Sequence, residues 1–233
     1  MPVQDGQSLG ARFRSLGHHA AEELREAIID GDLAAGERLV ERDLAGRLEV
    51  SRIVVRDALQ QLTNEGLVEL LPRRGGVVTA LTAQDILDLV EVRASVEVLA
   101  ARLAAVRRTD ADLERLRSAI EDAAAAAVGL KDQRAAARAN VAFHEELVRA
   151  SGNALLESIV LGFSSRLRRM FQLTRRLDTD RMADHQALYD AVAAHDPDRA
   201  AEVAHHHILT TAADTLTAIG EPHDRLTAIT TNL

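Results

Sequence analysis

Three histidines fall where a helical reading turns them toward a core. His144 lies on the stripe Val141, His144, Leu147, Val148, and His185 on the stripe His185, Leu188, Tyr189, Val192. His207 lies on Ala200, Val203, Ala204, His207, Ile208, while His205 and His206 point elsewhere on the same helix. A lone histidine on an apolar face is ordinarily a satisfied core residue. Three on three separate helices of one bundle have the ligand chemistry of a divalent metal centre, with a purely structural histidine cluster as the alternative. Imidazole suits zinc first and nickel, manganese or iron as well. Asn140 precedes His144 by one turn, so the two side chains project from one helix face. Arg93 and Glu97 lie on a further apolar stripe, Ile86, Leu89, Val90, Arg93, Glu97, Ala100. An inward arginine needs an anionic partner. That partner is either Glu97 at i,i+4 or the carboxylate of a small bound ligand.

A second group of residues has the chemistry of nucleic-acid contact. Ser51 is suited to cap a helix that carries Arg52 and Arg56 on one exposed face at i and i+4. Arg42 lies on the short helix before it, and Arg73-Arg74-Gly75 forms the basic tip of a turn. An arginine can hydrogen-bond O6 and N7 of guanine together, each such pair contributing ~1–3 kcal/mol of discrimination. Ser51, at a helix N-terminus, can also donate to a phosphate. The alternative is that these arginines are solvated surface charges paired with Glu41 or Asp57.

The elements that must position these residues are mostly helical. Residues 1–17 are polar and read as a flexible arm. The spacing predicts helices over about 18–30, 40–48 and 51–65, then two short strands, Leu67–Leu71 and Gly76–Thr79, around Pro72–Gly75. Three short helices and a hairpin over residues 18–80 make a winged helix-turn-helix. Thr82 and Asp85 open a capping box, and about six helices follow, near 83–108, 110–127, 131–151, 153–176, 180–194 and 197–218. Residues 82–220 are thus a C-terminal all-helical bundle, and 221–233 a tail.

Composition narrows the function. The 233 residues include no cysteine, which excludes disulfides, thiolate metal sites and cysteine nucleophiles and suits a cytoplasmic protein. No apolar run approaches the ~20 residues of a membrane helix, so no membrane partner is expected. The net charge is −8. Residues 1–80 carry 10 Arg against 13 Asp and Glu, so contact with nucleic acid must come from a local arginine cluster.

The first part of the chain closely resembles the GntR superfamily of bacterial transcription regulators. The resemblance rests on Gly36-Glu37-Arg38-Leu39, Glu41-Arg42-Asp43-Leu44-Ala45, Val50-Ser51-Arg52, Val55-Arg56-Asp57-Ala58-Leu59, Glu65-Gly66-Leu67-Val68 and Arg73-Arg74-Gly75, in register over residues 20–80. Ala35 and Val54 stand where the family usually has proline. The resemblance implies that Arg42, Arg52 and Arg56 reach an operator and that Gly75, at a wing tip, enters the minor groove. Asn140, His144, His185 and His207, with Phe143 and Ser151-Gly152-Asn153, resemble the FCD effector domain of the FadR branch. There an Asp and three histidines bind a divalent metal, and an arginine corresponding to Arg93 sits in the pocket. Asn140 replaces the usual Asp.

The function expected from these readings is a homodimeric repressor of a palindromic DNA operator, controlled by a small carboxylate bound at the metal-containing site. A metal-dependent enzyme using the three histidines is a second class, weakened by the absence of an HExxH motif and of a general base beside the site. An acyl-CoA sensor without metal is a third, opposed by the histidine set itself.

Overall fold

The computed structural model describes residues 9–72, 75–128, 133–174, 179–222 and 225–226. The chain divides into two compact units, Met1–Ala80 and Leu81–Leu233.

The first unit contains α1 (Leu9–Ile29), β1 (Arg38–Leu39), α2 (Glu41–Arg47), α3 (Arg52–Asn64), β2 (Val68–Leu71) and β3 (Gly75–Val78). Leu24, Ile28, Leu39, Leu44, Val55, Leu59, Leu62, Leu67 and Val78 form its core. Ser51 caps α3 by accepting from Val54 N at 3.4 Å. Gly66 ends it: Gly66 N donates to Thr63 O at 2.9 Å and Leu67 N to Leu62 O at 3.0 Å, the Schellman pattern. Arg25 grips Glu65 with two bonds of 2.7 and 2.6 Å, fixing α1 to the end of α3.

Two expectations for this unit are corrected. Residues 9–17 are helical rather than an arm, because α1 begins at Leu9. Gly10 and Gly17 lower the helical propensity of that stretch and hid it. At Gly17 the glycine permits close approach, since a Cβ there would lie 2.2 Å from Asp57 Oδ2. The wing is also not a two-stranded hairpin. A third strand, β1, pairs with β3, giving the antiparallel order β1-β3-β2 with Leu39 opposite Gly76 and Leu71 opposite Gly75. A two-residue strand leaves no alternation to read.

The second unit is a bundle of α4 (Ala83–Arg107), α5 (Asp110–Val128), α6 (Gln133–Ala150), α7 (Ala154–Leu161), α8 (Ser164–Leu173), α9 (Thr179–Ala193) and α10 (Pro197–Ala218). Thr82 and Asp85 make the expected capping box. Asp196 caps α10 by accepting from Arg199 N at 2.9 Å, with Pro197 at its first position. α4 and α10 pack along each other. Their buried faces include Ala100, Ala101, Ala104 and Ala105 on one and Ala200, Ala201, Ala204 and Ala212 on the other, small side chains that let two backbones come close. The helix expected over 153–176 is two: the chain breaks at Gly162 and Phe163, where the ring turns inward at 8% exposure. Arg117 on α5 donates to the Tyr189 hydroxyl of α9 at 2.9 Å, tethering that pair. Among the described residues no helix is long and apolar enough to cross a membrane.

Candidate functional site

The arginine cluster forms around one carboxylate. Glu41, the first residue of α2, accepts from Arg56 Nε at 2.9 Å and Nη2 at 2.8 Å, while Arg52 Nη2 lies 3.6 Å away. The hydrogen bonds from Arg56 come first among the causes that hold the Glu41 carboxyl below its ordinary range. Arg52 and Arg56 remain well exposed on α3, and Arg42 pairs with Asp43 at 3.0 Å on α2. The Glu41 pairing foreseen as the alternative is therefore present in the DNA-free protein. It leaves the guanidinium groups on the surface, and an ion pair exposed to solvent is cheaply exchanged for another.

The wing differs from the expectation. Arg73 and Arg74 lie outside the described residues. Gly75 is not an exposed tip: it opens β3, is buried, and has φ +83°. A Cβ there would sit 2.0 Å from the carbonyl oxygen of Leu39. Its glycine is required by the β1–β3 approach, which the sequence could not show while β1 was unseen.

In the second unit, α6 supplies Asn140 and His144, α9 His185, α10 His207, and α4 Arg93 and Glu97. All six are 2% exposed or less. Ligand atoms of the three histidines lie within 4.8 Å of one another. The ring centroids are 5.4, 5.1 and 4.8 Å apart for the pairs 144–185, 144–207 and 185–207. Phe143 stacks on His185 at 4.3 Å.

Two carboxylates complete the arrangement: Glu97, which the sequence offered only as a partner of Arg93, and Asp184, which it did not single out. His144 Nδ1 lies 3.2 Å from Glu97 Oε2, and His207 Nδ1 lies 3.3 Å from Asp184 Oδ2. A carboxylate beside Nδ1 favours the proton on that nitrogen and leaves the lone pair on Nε2. His144 Nε2 and His207 Nε2 are both buried without a hydrogen-bond partner. Burial pushes His207 down to about 4, and the charge of Arg93 acts the same way against the bond to Asp184. Its imidazole is thus neutral at pH 7.

Arg93 meets Glu97 within α4, Nε donating to Oε1 at 2.8 Å and Nη2 to Oε2 at 3.2 Å. The i,i+4 pair is therefore the anionic partner that the structure provides. Arg93 Nη1 remains buried without a partner, and the guanidinium carbon lies 5.5 Å from the centre of the Phe171 ring. Burial opposes ionisation of Glu97, but Arg93 and His144 outweigh it and hold the carboxyl far below its usual range.

These residues fit a divalent ion. Buried polar atoms in folded proteins are nearly always paired. Here both amide atoms of Asn140, two imidazole Nε2 atoms and one guanidinium nitrogen are buried without partners. Neutral imidazoles and an amide oxygen are competent ligands. The Glu97 and Asp184 contacts could have been suspected only as carboxylates near the histidine stripes; their partners lie 47 and 23 residues away, which no local spacing encodes.

Comparison with known proteins assigns both units. Residues 16–78 match the bacterial regulatory proteins of the gntR family, and residues 88–210 match the FCD domain. The chain is 34% identical over 209 residues to the HTH-type transcriptional regulator BphR of Paraburkholderia xenovorans, covering 85% of this chain and 84% of that one. It is 28% identical over 205 residues to the galactonate operon transcriptional repressor of Escherichia coli, covering 78% and 88%. A crystal structure of a GntR transcriptional regulator from Rhodococcus sp. RHA1 aligns with TM-score 0.75 and 28% identity over 88% of this chain and 99% of that chain. The family is one of regulators, which sets the metalloenzyme reading aside. The chain belongs to the gntR family of bacterial regulatory proteins and is a DNA-binding transcriptional regulator whose helical unit is an FCD domain.

Proposed function

We propose that this regulator is a cytoplasmic homodimeric repressor whose affinity for a palindromic operator is set by a small carboxylate bound at a metal site in the helical domain. The observation that carries the proposal is the buried set of partnerless polar atoms on Asn140, His144, His207 and Arg93. Asn140, His144, His185 and His207 are the ligands assigned to the ion, zinc being the first candidate and nickel, manganese or iron compatible. Bound there, the ion supplies positive charge and a coordination position for an anionic oxygen. Arg93 Nη1 is the donor assigned to the other end of that anion. The galactonate repressor among its relatives supports both the repressor role and a hydroxy acid as the first ligand class to test.

The operator half of the proposal assigns base contact to Arg42, Arg52 and Arg56 and phosphate contact to Ser51 and the wing arginines Arg73 and Arg74. Residues 18–80 are the DNA-binding domain and 82–220 the effector and dimer domain. Binding of DNA from upstream of the regulator's own gene, measured at fixed salt with zinc-loaded and chelator-treated protein, tests the whole reading. A panel of small hydroxy acids, galactonate included, is expected to change operator affinity about 5–150-fold in the zinc-loaded protein only. Equal responses with and without zinc would overturn the metal-dependent mechanism.

A further inference from the structure

Glu97 makes polar contacts to both halves of the proposed site. One oxygen accepts from Arg93 Nε at 2.8 Å. The other lies 3.2 Å from both Arg93 Nη2 and His144 Nδ1. The three side chains are at most 2% exposed, so water neither competes for these contacts nor screens them. Phe171 lies against the guanidinium at 5.5 Å and the His144 ring at 6.1 Å, closing the same three-residue group from one side.

We infer that Glu97 is a positioning residue that couples metal to anion by sharing one carboxylate between His144 and Arg93. The inference rests on the metal reading given above. A carboxylate on the far nitrogen of an imidazole fixes its orientation and strengthens the near nitrogen as a donor. Arg93 draws on the same negative charge and so limits what His144 receives. An anion that engages Arg93 neutralises that competing cation, and more of the Glu97 charge then falls on His144. Metal and anion therefore tighten one another through Glu97 in addition to any direct contact between them, and the link is reciprocal.

The opposite signs expected for two neighbouring substitutions separate this role from a structural one. Zinc affinity is measured at pH 7 by competition with a chromophoric chelator, on full-length protein without added anion. Glu97→Gln is expected to weaken zinc 10–100-fold, and Arg93→Gln to tighten it about tenfold, since a nearby cation is removed. Glu97→Gln leaves Arg93 buried without its counter-ion and is the variant at risk of misfolding. The double variant removes both charges while Glu97→Gln keeps the carboxylate's shape; against Arg93→Gln alone it is expected to bind zinc 10–100-fold more weakly. In metal-free protein, Glu97→Gln, or the double variant if the single one does not fold, should shift the imidazole nitrogen resonances of His144 but not those of His207, which Asp184 holds. Zinc affinity unchanged by loss of Glu97 in a wild type that binds zinc would overturn this inference alone. A wild type that binds no zinc would overturn the metal reading beneath it.

Discussion

In the proposed metal site, Asn140 is the ligand that sets the charge balance. With neutral ligands around it, a divalent ion keeps its full charge for an incoming anion. Asn140→Asp is expected to tighten metal binding and weaken the anionic ligand, because the ion is then partly neutralised. His144→Ala and His207→Ala should lose metal and ligand response while operator binding in the absence of ligand is retained. Calorimetry with zinc, alongside an operator titration, reads both effects, and histidine variants that still bind zinc at wild-type affinity would remove His144 and His207 from the ligand set. In the first unit, Glu41 holds the two arginines assigned above to operator contact. Arg52→Ala or Arg56→Ala should abolish specific operator binding with little change in melting temperature, both side chains being exposed. Glu41→Gln should raise affinity for non-specific DNA several-fold, since it removes a charge that repels phosphate. Non-specific affinity unchanged at low salt would show that Glu41 has no such effect.

At the scale of elements, the wing depends on a glycine that serves the backbone. Gly75→Ala would strain a left-handed residue by roughly 1–3 kcal/mol and press a methyl group against Leu39. A melting curve for this variant should show a clear loss of stability, whereas Gly46→Ala, on an exposed and open part of α2, should not. The elements legible in the sequence were those with long apolar periodicity and clear caps: α3 from Ser51 to Gly66, α4 from Thr82 and α10 from Asp196-Pro197. The inward faces of α6, α9 and α10 also brought His144, His185 and His207 together as their stripes foretold. What escaped was either too short to carry a period, as with β1, or decided by tertiary packing. The turn at Gly162-Phe163 and the approach of Glu97 to His144 both depend on neighbours distant in sequence.

At the scale of the molecule, the two compact units carry separate chemistries, one exposing arginines and one burying histidines. A ligand that binds only the folded state stabilises it by about 2.7 kcal/mol at a hundred times its dissociation constant. Zinc is therefore expected to raise the melting transition of residues 81–233 and leave that of residues 1–80 close to its metal-free value. Scanning calorimetry before and after chelation checks this. A chelator that shifts neither transition would show that no stabilising ion is held.

The tether between Arg117 and Tyr189 has an optical consequence. The chain has one tyrosine and no tryptophan, so its tyrosine emission comes from a single ring. That ring lies on α9, one turn beyond His185, with its hydroxyl held by a guanidinium of α5. Any rotation of α9 that changes the distance to Arg117 alters the quenching of that one fluorophore. The protein therefore carries an unlabelled reporter of its own helical domain, readable by lifetime during a zinc or hydroxy-acid titration.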